Sequence, residues 1–141
     1  MPLKIPGLKT GRARLRAVVD DTHGAATIEA VIWLPVFFFI FALIADTSMI
    51  FGSESQVLRV IQDANRNLST GYSTTTAQIS VEIKVRISSI SPNAVVTSTI
   101  VGNLITTSVV MPLTDITATG LVYAFTSGSV TVSAQHVMEG V

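Results

Sequence analysis

The sequence predicts an α+β protein, a long N-terminal membrane helix packed on a small, mainly antiparallel β-sheet domain. Two observations carry that expectation. Between Ala25 and Phe51 the chain is apolar around every side of a helix, and beyond Gly71 the spacing of apolar residues changes from a helical period to a period of two. At 141 residues there is room for one modest domain and no reason to look for two.

Residues 1–24 are basic. Lys4, Lys9, Arg12, Arg14 and Arg16 stand against Asp20 and Asp21, and Pro2, Pro6, Gly7, Gly11 and Gly24 interrupt any apolar period. Such a stretch reads as a leader rather than part of a fold.

Residues 25–51 form the expected membrane helix. Ala30 to Ala45 is 16 residues without a charge, and the flanks extend it to the roughly 20 residues that cross a hydrocarbon core. Trp33 lies near one end, at the depth an interfacial indole favours. Phe37, Phe38, Phe39 and Phe41 surround the helix, as suits a segment bathed in lipid. Pro35 removes a helical hydrogen bond and should kink or loosen the nearby turns. A static kink is the simpler outcome; local melting that permits repacking is the sharper one. Asp46 is a second acid in the block, placed either to pair across helices or to mark the far boundary of the span.

Residues 52–71 continue the helix outside the membrane. Ile50, Val57, Ile61, Ala64 and Leu68 fall on one helical stripe, expected to be core against the sheet. Asp63 is placed for ion pairs with Arg59 and Arg66, and Gly71 is the expected stop. Asn67-Leu68-Ser69 matches a glycosylation acceptor, and a helix end makes that a chance match.

Residues 72–141 read as β-rich. Ile79, Val81, Ile83, Val85 and Ile87 alternate with Ser80, Glu82, Lys84, Arg86 and Ser88, which predicts a strand with one buried face. A turn at Ser91-Pro92-Asn93 precedes a β-branched run from Ala94 to Val101. Gly102-Asn103 breaks it, and Leu104 to Met111 resumes it. Pro112 and Gly120 frame a loop, after which Leu121 to Phe125 and Ser129 to Ser133 are expected to form a hairpin around Ser127-Gly128.

Composition narrows the function classes. The chain is apolar, with mean hydropathy +0.58 and 13% charged residues, and it has no cysteine for a disulfide or thiolate site. The formal net charge of zero hides an asymmetry, because the chain is net basic up to Gly24 and net acidic after it. That pattern orients a membrane segment with its basic side in the cytoplasm, and it argues against nucleic-acid binding. There are two histidines, His23 in the leader and His136 near the end, and no metal-ligand spacing, phosphate loop or nucleophile elbow. No catalytic role, cofactor or metal is expected, and His136 beside Glu139 reads as a surface residue.

The informative junction is His23-Gly24-Ala25-Ala26-Thr27-Ile28-Glu29, basic upstream and apolar downstream. A conventional signal peptide is cut after its apolar core. Cleavage between Gly24 and Ala25 instead leaves the whole membrane helix on the mature chain. It also creates an α-ammonium five residues before Glu29. A carboxylate at membrane depth costs about 2.5–3.5 kcal/mol on insertion scales, so it should face a partner rather than lipid. In a stack of parallel helices, the ammonium of one subunit can meet Glu29 of its neighbour and set the stagger. The bland alternative places Glu29 at headgroup level in an uncleaved anchor.

This junction resembles the prepilin signal of type IV pilins and pseudopilins, in which a basic leader ends in Gly and the fifth mature residue is Glu. With Ala30-Val-Ile-Trp-Leu-Pro35 it is similar to the TadE-like minor pilins of tight-adherence (Flp) pili, and the likeness is best over residues 20–71. The resemblance implies a minor pilin or pseudopilin cut after Gly24 by a prepilin peptidase, with N-methylation as a family trait. It would help initiate, cap or regulate a pilus used for surface adhesion. Implied partners are inner-membrane lipid, the peptidase, other pilin subunits and the pilus assembly platform. The implied location is the bacterial inner membrane as a single-pass protein, N-terminus cytoplasmic and C-terminal domain periplasmic, and the extracellular pilus after assembly. The alternative is an uncleaved single-pass anchor whose periplasmic domain binds a partner. A secreted β-rich adhesin with an ordinary signal peptide is a more distant third.

Overall fold

A computed structural model describes residues 23–72 and 75–138. Residues 1–22 of the expected 1–24 leader and Glu139 lie outside the described residues. The fold is α+β: a long apolar helix, then a three-stranded antiparallel sheet with shorter helices. The chain divides into a first unit ending at Phe39 and a second from Ile40 to Val141.

Helix α1 runs from His23 to Ser69 without a break, and Pro35 lies inside it. Thr47 and Ser55 are accommodated mid-helix because their hydroxyls donate to the carbonyls of Leu43 and Phe51, at 2.7 and 2.9 Å. The helix stops as expected at Gly71, whose φ of 78° lies in the left-handed region that favours glycine. The Gly71 amide donates to Leu68 O and the Tyr72 amide to Asn67 O, at 3.1 and 3.0 Å. This paired reversal satisfies carbonyls that the last turn would otherwise leave open.

The second unit is built around one stripe of α1. Val57, Ile61, Ala64 and Leu68 are buried in the core and Ile50 packs against it, as the sequence period predicts. The expected pairing of Asp63 with Arg59 and Arg66 does not form. Among the described residues the ion pair found is Arg86 with Glu82, at 2.7 Å. Exposed charges gain little from pairing and keep their hydration instead.

Residues 79–87 are not a strand. Helix α2 spans Thr76–Ile87, with Ile79, Ile83 and Ile87 buried and Val81 and Val85 exposed. Alternate positions also contain every fourth residue, so a period-two run of isoleucine and valine holds a hidden i, i+4, i+8 stripe. Local chemistry decides for the helix. Thr75 caps it by accepting the Gln78 amide, and Glu82 meets Arg86 four residues on.

The sheet order is β1 (Val95–Val101), β2 (Leu104–Pro112) and β3 (Ser129–Val137), both pairings antiparallel. The break at Gly102-Asn103 is the β1–β2 turn, as expected. Val109 is paired with Val96 on one side and Val132 on the other, and the same rule places Thr107 between Ser98 and Ala134. These residues form the inward face, whose core members are Ile105, Val109, Met111 and Val132. Helix α2 packs against β1.

The expected hairpin of residues 121–125 with 129–133 is also overturned. Helix α3 covers Leu113–Ile116 and helix α4 covers Leu121–Phe125, while β3 pairs with β2 instead. The cause is tertiary. The start of α4 is held by a side chain far earlier in the chain.

Candidate assembly and anchoring site

The stretch that carries the expected site residues changes character along α1. From Thr27 to Phe41 every residue is exposed. From Ala42 onward one side becomes covered, and Asp46 is fully buried. By length and composition α1 is able to cross a membrane. An 18-residue window between Thr27 and Ser69 reaches a mean hydropathy of 2.5 with none of it buried by the rest of the chain.

Gly24 and Ala25 lie in the first turns of α1, so the backbone at the expected cut is helical. Glu29 is exposed, and its side chain makes no hydrogen bond or ion pair among the described residues. Trp33 and Pro35 are exposed on the same segment. The exposed surface of this stretch includes Ile32, Leu34, Phe38 and Phe41, an apolar sheath with one carboxylate near its start. Such a surface is stable in lipid or against other apolar helices, and unstable in water.

Asp46 is placed differently from Glu29. It lies on the covered stripe, four residues before Ile50, and it is used within the chain. Its Oδ1 accepts the Thr119 amide at 2.6 Å and its Oδ2 accepts the Val122 amide at 3.1 Å. Those amides belong to the entry of α4, which begins after Gly120 in the left-handed region at φ 75° and has no side-chain cap of its own. A helix start leaves its first N–H groups without intrahelical partners, and a carboxylate also favours the positive end of the helix. Asp46 therefore caps α4 from a distance. Each of its oxygens accepts one backbone amide within the chain, a use that the sequence did not indicate.

Two other polar contacts align the domain along α1. Asn65, fully buried, accepts the Thr107 hydroxyl at 2.6 Å and donates to Ala134 O at 3.3 Å. Nearer the middle, Glu54, Ser55 and Leu58 line a groove of about 370 Å³ with Thr131, Val132 and Ser133. Residues 46, 54–58 and 65 thus meet α4, mid-β3 and mid-sheet in turn. The β1–β2 turn lies at the end of the sheet away from Asp46.

Asp115 organises the remaining loops. It accepts the Ser91 hydroxyl at 2.7 Å, the Asn93 amide at 3.0 Å and the Asn93 side chain at 3.1 Å. Burial opposes its charge, but these bonds and the Thr114 hydroxyl outweigh it and hold the carboxyl below its ordinary value. Among the described residues no group of three or more His, Asp or Glu side chains gathers where a metal could bind. The sequence marked Asp46 but not its partners. A buried acid in an apolar stripe signals a fixed acceptor role, yet nothing local identifies Thr119 and Val122 as the donors.

The TadE-like protein family model matches residues 24–66, beginning at Gly24 and running to the last turn of α1. The matched residues include the stretch of α1 that is long and apolar enough to cross a membrane. No curated protein and no solved structure matches the chain.

Proposed function

We propose that this chain is a minor pilin or pseudopilin of a tight-adherence pilus, cut after Gly24 by a prepilin peptidase and used to initiate, cap or regulate assembly. One observation carries the reading. The TadE-like match starts at Gly24 and covers a helix whose exposed apolar surface has a single carboxylate, Glu29, near its start. The basic leader holds the N-terminus in the cytoplasm, and residues 25–51 span the inner membrane. Residues 52–71 continue the helix into the periplasm and residues 72–141 complete the domain there. The folded half beyond α1 favours a minor subunit over a helix-only one.

Lipid is the first partner and a neighbouring pilin helix the second. Cleavage creates the α-ammonium of Ala25, which neutralises Glu29 of an adjacent subunit and sets the axial stagger. Pro35 weakens the hydrogen-bond ladder of the segment that must leave lipid and enter the assembly. The assembly platform supplies the force for that transfer.

The test is the N-terminal sequence of the protein recovered from membranes. Ala25 at the terminus supports the proposal. Met1 replaces it with an uncleaved anchor, and a start near Asp46 replaces it with secretion. Glu29→Gln separates processing from assembly. The variant is expected to be cut normally yet fail to enter the pilus, and unimpaired assembly would sink the register role.

A further inference from the structure

We propose that helix α4 rests on the phospholipid surface, with Tyr123 and Phe125 inserted among the headgroups where α1 leaves the bilayer. The proposal rests on the membrane reading above and extends it to a surface that the TadE-like match does not cover.

Depth is fixed by Asp46. The charge-free run Ala30 to Ala45 is 16 residues, about 24 Å of helix, against a hydrocarbon core of about 30 Å. A span centred on that run brings Asp46 to the outer edge of the hydrocarbon. There the Asp46 carboxylate holds the amides of Thr119 and Val122, so the start of α4 is pinned at the same depth. Helix α4 is five residues long, so its far end stays within about 8 Å of its start. The headgroup layer is of similar thickness.

The chemistry at that depth fits. Tyr123 is 42% exposed and Phe125 is 69% exposed, although Val122, just before Tyr123, packs against the core. The described part of α4 and its flanks, Thr117 to Gly128, carries no charged residue. An aromatic pair on an uncharged turn beside the exit of a spanning helix is the composition of an interfacial anchor. Water gives such a surface no compensation, whereas headgroups accept the phenol and acyl chains accept the rings.

The experiment uses the full chain in phosphatidylcholine vesicles, with lipids brominated near the headgroup end of the acyl chains as quenchers. Trp33 is the single native tryptophan and reports insertion of α1. In a Trp33→Phe background, Phe125→Trp and, separately, Tyr123→Trp report α4. Val101→Trp, on the β1–β2 turn away from Asp46, is the water-exposed reference. Quenching of the α4 reporters by brominated lipid should exceed that of the Val101 reporter by at least about twofold, with blue-shifted emission. If Trp33 is quenched and both α4 reporters behave like the Val101 reporter, the proposal falls and the membrane reading stands. If Trp33 itself is unquenched, both fall. Emission that follows protein-to-lipid ratio rather than bromination would assign the surface to a second copy and overturn the lipid assignment.

Discussion

The Asp46 carboxylate accepts the Thr119 amide at 2.6 Å across 73 residues of sequence. With the second bond to Val122, it ties the point where α1 becomes one-sided to the start of α4. An acid that would be a liability inside a greasy helix becomes a cap for another helix. Its burial is tolerable because both oxygens are bonded.

Removing that acceptor should loosen α4 selectively. Asp46→Ala leaves two amides without a partner and should destabilise the domain by about 1–3 kcal/mol. Hydrogen exchange at residues 117–125 should accelerate far more than in the sheet. Asp46→Asn keeps one acceptor oxygen and should fall between. Unchanged protection at Thr119 and Val122 would show that the cap contributes nothing.

The Asn65–Thr107 contact should behave as a coupled pair. Both side chains are fully buried, and the hydroxyl also lies 3.1 Å from Ser98 Oγ. Asn65→Ala and Thr107→Val should each destabilise, with a coupling of roughly 0.5–3 kcal/mol in a double-mutant cycle by urea unfolding. Strict additivity would contradict a direct bond.

The two faces of α2 should respond unequally. Ile83→Ala removes a fully buried side chain and should cost about 2–5 kcal/mol, whereas Val81→Ala, at an exposed position, should stay within about 0.5 kcal/mol. Were residues 79–87 a strand with one buried face, both changes would be costly. Thermal melts of the two variants decide between these outcomes.

Asp115 gives the domain an acid-sensitive joint. Its folded carboxyl titrates below the ordinary value of 3.8, because hydrogen bonds to Ser91, Asn93 and Thr114 outweigh the penalty of burial. A depressed folded pKa stabilises the fold above the unfolded pKa, and that stability disappears as pH falls through the folded one. Asp115→Asn should therefore be less stable than the parent at neutral pH, and the gap should narrow below about pH 4. A gap that is constant down to strong acid would remove the carboxylate charge from the account.

The apolar run of α1 was legible because its signals are local. Charge, apolarity and residue order along one helix need no partner to be read. The stripe from Ile50 to Leu68 and the stop at Gly71 were legible for the same reason. Residues 79–87 were misread because isoleucine at 79, 83 and 87 satisfies both periods, and only the packing of α2 on β1 selects one. Residues 121–125 are β-branched and aromatic enough for a strand, yet the Asp46 carboxylate presents itself to Thr119 and Val122 and starts a helix there.

The sequence by itself determined that a long apolar helix with one early acid leads into a small domain with an antiparallel sheet, since hydrophobic period and charge act over a few residues. Only the tertiary structure decided which β-like segments became helices and what Asp46 is for. Those outcomes depend on groups brought together across the chain, where a buried acceptor and an uncapped helix start satisfy each other.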